Sequence, residues 1–157
     1  KISTTENTDI APGRPMEFRV GVVDLSGIEL AGAGTITAET VESSAIEVVL
    51  SGTGDNIINQ LRADEVTVNH AGVGTIQLTG ETDQQEVVAS GTGSYDGADL
   101  ACRTATVEAS GLADVTINVT DDLQITVSDS GAVAFYGSPT VEQSVSGSGK
   151  VTALGPR

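Results

Sequence analysis

A short glycine turn returns along this chain at nearly constant intervals. Taking the first residue of each turn as its origin, the turns begin at Gly32, Gly52, Gly72, Gly91, Gly111, Asp129 and Gly147, at spacings of 20, 20, 19, 20, 18 and 18 residues. Two residues on stand Gly34, Gly54, Gly74, Gly93, Ala113, Gly131 and Gly149. A fixed period near 20 is the mark of stacked repeats and constrains the fold more than any local propensity. Positions counted from these turns fall into columns of like residues. Four before the turn stand Ile28, Val48, Val68, Val87, Val107, Ile125 and Gln143; four after it stand Ile36, Asn56, Ile76, Tyr95, Val115, Val133 and Val151. Two before it stand Leu30, Leu50, His70, Ala89, Ala109, Val127 and Val145. Within each repeat the apolar positions alternate with polar ones, which is the two-residue period of a β-strand.

One such coil cannot bury its apolar side alone. Stacked about 4.8 Å apart, coils pair every strand and bring the inward columns into register. The predicted fold is therefore all-β: a single-stranded right-handed β-helix or β-solenoid-like stack with about seven Gly-x-Gly corners. An immunoglobulin-like sandwich also uses many short strands, but it gives no reason for columns that match across seven turns. At each corner the chain must turn against identical corners above and below. That leaves no room for a Cβ and favours positive φ, hence Gly at 32, 34, 52, 54, 72, 74, 91, 93, 111, 131, 147 and 149. Asp129 suits the same role, since Asp tolerates the left-handed region, whereas Ala113 requires an ordinary backbone.

Composition agrees. Among 157 residues there is no Trp, with two Phe, two Tyr and one Met, so the core must come from Val, Ile, Leu and Ala. Residues 1–15 carry two Pro and read as a lead-in, and the solenoid is expected over 16–157, with "MEFRVGVVDLSGIEL" beginning the stack. The segments "ETVESSA", "NQLRADE", "ETDQQ", "GADLACRTA" and "TDDL" read as acidic, solvated corners joining the two halves of each coil. Seven basic against 22 acidic residues give a net charge of −15. Such a surface repels phosphate backbones, so nucleic acid is excluded as a partner. No run of 18 apolar residues spans a bilayer. Cys102 is alone, so no disulfide forms within the chain, and its setting reads as small and buried.

The stretches "SGTGD", "SGLADVTINVTDDLQITVSDSGAV" and "VAFYGSPTVEQSVSGSGKVTAL" resemble the bacterial family of putative autotransporter adhesins, head GIN domain. The terminal turn Phe135-Tyr136-Gly137-Ser138-Pro139 is followed by the last corner, Ser146-Gly147-Ser148-Gly149, and the resemblance runs from about Phe18 to Leu154. Ala113 and Asp129 depart from it at two corners. The resemblance implies a three-sided, β-helix-like fold, export and a cell-envelope setting, and brings no catalytic residues with it. Any export signal is then expected to have been removed ahead of Lys1, leaving the protein periplasmic, outer membrane-associated or extracellular.

Few side chains suggest chemistry. His70 is the one histidine and falls in an inward column, where a structural role is expected. Asp129 lies about three coils, or ~14 Å, away and cannot share an ion with it. Glu47 and Glu86 share an outward column two coils, or ~9–10 Å, apart. That is near the upper limit for an inverting glycosidase, yet Thr67 stands between them and no aromatic platform accompanies them. The column three after each corner reads Thr35, Asp55, Thr75, Ser94, Asp114, Ala132, Lys150, which is no calcium ladder. Thr35-Ile36-Thr37 occurs once, too seldom for an ice-binding face. Just before the corner stand Ala31, Ser51, Ala71, Ser90, Ser110, Ser128 and Ser146, small outward residues suited to tight turns. The expectation is a non-enzymatic, exported structural or adhesion module without metal or cofactor. Its partner would be a protein or glycan at the cell surface, and homo-oligomers could form through the open solenoid ends. A polysaccharide-binding or polysaccharide-degrading solenoid is the alternative.

Overall fold

The computed structural model describes residues 17–22 and 24–157. The strands are β1 (Gly27–Leu30), β2 (Ala33–Leu50), β3 (Thr53–His70), β4 (Val73–Ala89), β5 (Thr92–Ala109), β6 (Asp114–Val127), β7 (Ala132–Tyr136), β8 (Thr140–Val145) and β9 (Lys150–Gly155). Every neighbouring pair is parallel, in the order β1-β2-β3-β4-β5-β6-β7-β9, with β8 also on β6. The chain is an all-β solenoid of about six turns, with no helix among the described residues. Register follows the sequence period: Ile28 pairs with Val48, Val48 with Val68, Val68 with Val87, Val87 with Val107 and Val107 with Ile125. Those side chains are buried throughout.

The acidic segments are not loops. β3 runs unbroken for 18 residues, and Leu61 and Ala63 within it are buried. Alternation explains why. Asn56 and Ile58 point inward, then Leu61 and Ala63, then Val66, Val68 and His70. Two consecutive outward residues, Asn59-Gln60 and Asp64-Glu65, separate these runs. A pair of outward residues turns the strand while keeping its backbone bonded to the coils above and below. Each such coil therefore bends at two outward pairs and at the glycine corner. The acidic side chains do face solvent, as their composition suggests. Between them lies a third inward run that the sequence pattern hides.

These bends also absorb changes in repeat length. The pair 59–60 of β3 faces only Thr79 of β4, because Ile58 pairs with Leu78 and Leu61 with Gly80. Residues 98–100 of β5 have no counterpart in β6, since Gly97 pairs with Ile117 and Ala101 with Asn118. The shifts fall at the bends: Ala98 and Asp99 lie toward the outside, while Leu100 turns inward and is fully buried opposite Gly80 of β4.

The glycine corners divide into two kinds. Gly52 has no positive φ, contrary to the expectation for the first glycine; a Cβ there would instead overlap the carbonyl oxygen of Gly32 in the preceding coil. Gly54 has both constraints, with φ of 141° and the Gly34 carbonyl against its α-carbon. At the fifth corner Gly111 takes φ of 74°, while Ala113 keeps an ordinary backbone and is buried. Asp129 sits in the left-handed region at φ 68° and is the one described non-glycine residue with positive φ.

Candidate functional site

The inside of the stack holds a few polar side chains, and each is placed by a backbone partner or a missing Cβ. His70 is buried, and its Nε2–H donates to the Gly74 carbonyl across the corner at 3.0 Å. A carbonyl only accepts, so this bond fixes the tautomer. Gly93 makes room for the ring: a Cβ at that position would lie 2.8 Å from His70 Cε1. Asn56 Nδ2 donates to the Val49 carbonyl at 3.1 Å. Gln85 donates through Nε2 to the hydroxyl of fully buried Tyr95. Tyr95 fits because Gly97, two residues on, offers no side chain; a Cβ there would sit 2.6 Å from the Tyr95 hydroxyl. Burial pushes the Tyr95 hydroxyl well above its ordinary pKa, with neighbouring Cys102 adding to the shift. Cys102 is buried and donates through Sγ to the Asn118 carbonyl at 3.3 Å, and burial pushes its thiol up to about 12. A protonated thiol of this kind is a packing element rather than a nucleophile.

Glu47 and Glu86 do share a column, through Glu47↔Thr67 and Thr67↔Glu86. They are not brought to one site. Glu47 accepts a hydrogen bond from Asn69 Nδ2 at 3.1 Å, whereas Glu86 lines a groove further along the stack. Thr35, Asp55, Thr75, Ser94, Asp114, Ala132 and Lys150 stand in consecutive coils of one column. There Asp55 Oδ1 accepts from the Thr75 amide at 3.1 Å and Thr75 Oγ1 bonds Ser94 Oγ at 3.3 Å, so Asp55 is spent on the neighbouring coil. The small residues at 31, 51, 71, 90, 110, 128 and 146 are exposed or half-buried at the corner, as expected of an outward column. The other corner glycines, at 32, 34, 72, 74, 91, 131, 147 and 149, lie at or beside the turns between strands.

The groove that Glu86 enters has a volume of about 430 Å³. It is built from two outward columns. One runs Glu65, Gln84, Thr104, Asp122, Thr140 and the other Glu86, Thr106, Gln124, Glu142. Two carboxylate pairs result, Glu65 with Glu86 and Asp122 with Glu142. Each is offset by one coil and two residues, or about 8 Å on the strand grid. Between them the groove presents Gln84, Thr104, Thr106 and Gln124, amides and hydroxyls that both donate and accept. The sequence carries this groove in the same column arithmetic that exposes Glu47 and Glu86. Following the column beyond Glu86, and the one beside it, names the lining.

The described residues hold no group of three or more His, Cys, Asp or Glu side chains arranged to bind a metal ion. No helix among them is long and apolar enough to cross a membrane.

Comparison with solved structures places the chain beside three proteins of the same architecture. A putative adhesin from Bacteroides fragilis NCTC 9343 superposes with a TM-score of 0.79 at 26% identity, over 83% of this chain and 61% of its own. A putative lipid binding protein from Parabacteroides distasonis ATCC 8503 gives 0.78 at 21% identity, over 84% of this chain and 54% of its own. A putative adhesin from Parabacteroides merdae ATCC 43184 gives 0.66 at 20% identity, over 82% and 57% respectively. This chain thus spans little more than half the length of those proteins. A search of curated proteins found no match. The family profile described as "Putative auto-transporter adhesin, head GIN domain" matches residues 1–139, and the chain belongs to that family.

Proposed function

We propose that this chain is a non-enzymatic, exported adhesion module of the cell envelope that holds a glycan chain along the groove of β3–β6 and β8. Membership of an adhesin-type family supports the general role. The observation that carries the finer reading is the groove itself, where amide and hydroxyl side chains lie between two carboxylate pairs. Sugar hydroxyls need both donors and acceptors, and Gln84, Thr104, Thr106 and Gln124 offer both. The coils recur every ~4.8 Å along the stack, so a linear polymer lying in the groove meets a polar outward side chain at each coil. The two carboxylate pairs favour a glycan with free amino groups over an anionic one. No catalytic role is assigned to the pair Glu47 and Glu86, because Glu47 is engaged with Asn69 outside the groove.

The test is retention on a glycan array and on whole bacterial cells, comparing the wild type with Thr106→Arg. Thr106 faces outward and pairs with Glu86 and Gln124 in the neighbouring coils. The arginine should leave the fold intact while filling the groove and neutralising its acid pairs. Retention lost at least tenfold in the variant supports the reading. Equal retention overturns it, and so does release of shortened oligosaccharides, which would make the groove a catalytic one.

A further inference from the structure

The first full coil, β2, has no neighbour among the described residues on its outer side from Ala33 to Ala45, because β1 pairs only with Glu47–Leu50. Here the stack is open. A Cβ added at Gly32 or Gly34 meets nothing within 4 Å, while the corresponding positions 52 and 54 are blocked by backbone. Ile36 and Ala38, heads of two inward columns, are only half-buried. Just ahead of β1 the chain carries the opposite deficiency. Phe18, Val20 and Val22 alternate with Glu17, Arg19 and Gly21, and they stand 61%, 66% and 56% exposed outside any strand. Among the described residues, an alternating apolar segment without a partner lies a few residues from a parallel edge without a partner.

The two fit in register. β1 sets an offset of 20 residues on β2, with Gly27 over Glu47, and the same offset puts Phe18 over Ala38. From there the segment needs one residue, Arg19, where β2 has the outward pair Glu39-Thr40. That shortcut already exists in this molecule, where Thr79 alone faces Asn59-Gln60. It brings Val20 over Val41 and Val22 over Ser43, so all three apolar side chains cap inward columns. Arg19 falls beside Glu39 at the bend, opposite in charge. The surplus residue between Val22 and Ser26 falls at the next bend, where elsewhere in the stack Thr120-Asp121 of β6 faces only Arg103 of β5.

We propose that the open edge of β2 is a docking edge for this chain's own Glu17–Val22 segment, which adds as a further parallel strand and can leave it again. An exposed parallel edge is a template for strand addition. A tether of a few residues raises the segment's local concentration above that of any second molecule. The device is a detachable end-cap: seated, it covers Ala38, Val41 and Ser43; released, it leaves a β-edge able to recruit another chain.

Two measurements on the full chain test it. Gly21→Cys with Glu42→Cys places two thiols on the outward side of the pairing, at the Cα separation that a disulfide requires. Mild oxidation should link them within one molecule, at least tenfold faster than the off-register control Gly21→Cys with Thr37→Cys. Equal rates overturn the proposal, and so do disulfide-linked dimers, which would show that the segment covers a second copy. Independently, hydrogen exchange of amides 35–43 should be slow in the wild type. It should quicken at least tenfold in Phe18→Asp with Val20→Asp, while amides of β4 and β5 stay unchanged. The double variant removes no buried side chain, so the stack folds in either case. Exchange at 35–43 that is identical in the two proteins overturns the proposal.

Discussion

β4 and β8 are written in the same alternation, yet they have different fates. In β4, Ile76, Leu78 and Val87 are wholly buried between the coils of β3 and β5. In β8, "TVEQSV" pairs with β6 on one side only, Val141 is half-buried and Val145 remains 44% exposed. The difference lies in what stands above and below. An alternating pattern says which way a side chain points; it takes two flanking coils to remove it from water. Interior coils thus carry most of the stability, and the ends are edges whose residues are free to serve interaction. At the far end a few side chains act as fasteners. Arg157 pairs with Asp99 and stacks over the Tyr136 ring at 5.0 Å.

The sharpest way to break this comparison is to put the same charge in both places. Val107→Asp buries an unpaired carboxylate in a column where the wild-type residue is 0% exposed. It should cost several kcal/mol and leave little folded protein. Val145→Asp should shift the thermal midpoint by no more than a degree or two. Similar midpoints for the two would mean that burial does not differ as described.

Corner glycines come next. Gly52→Val forces a side chain into the Gly32 carbonyl and should cost on the order of 3 kcal/mol. Ser51→Val, on the outward column beside it, should cost under about 0.5 kcal/mol. Gly32→Val, with open space around it, should resemble Ser51→Val rather than Gly52→Val in chemical denaturation. Equal costs at 32 and 52 would remove stacking as the reason for glycine at the corner.

The alkaline limb separates the interior by a different route. Cys102 and Tyr95 both hold their protons more tightly in the folded chain than in the unfolded one. Below pH 9, the unfolded thiol value, their stabilisation is complete. Between about 9 and 12 the unfolded chain sheds the Cys102 proton while the folded chain retains it, so stability falls as pH rises. Tyr95 contributes in the same direction above pH 10. Cys102→Ala should flatten the pH dependence between 9 and 10 in urea titrations, and an unchanged slope would contradict the burial assigned to the thiol. The smallest effect belongs to the solvated bends. Arg62→Ala, which removes the exposed pair with Glu81, should change stability by about 0.5 kcal/mol or less.

The sequence showed the stack because a period of 18–20 residues leaves a β-branched apolar residue in the same column six times in seven, from Ile28 to Ile125. Val48, Val68, Val87 and Val107 could be aligned without any structural knowledge. The bends were harder to read, since outward pairs such as Asn59-Gln60 interrupt the two-residue period and disguise Leu61 and Ala63 as loop residues. The reason for Gly52 was hidden for a different cause: it lies in the backbone of another coil, 20 residues away, and not in its own φ. The Gln85–Tyr95 hydrogen bond depends on the gap left at Gly97, a three-body arrangement that no single column displays. The groove is half legible, because Glu86 and its column stand out in the period, whereas the groove forms only where a second outward column, from Glu65 to Thr140, runs beside it.

The register of β2 to β6 has a mechanical consequence. Each coil hangs from its neighbour by a full turn of parallel hydrogen bonds directed along the stack. Tension along that axis is therefore borne in series, with every interface carrying the whole load. The interface with fewest bonds yields first, and among the described residues β1 on β2 holds only four residue pairs. Pulled from its two ends, the protein should lengthen in steps of roughly one coil, beginning at an end and sparing the middle until last. A tether that gives way in small increments keeps hold of a surface longer than one that fails all at once.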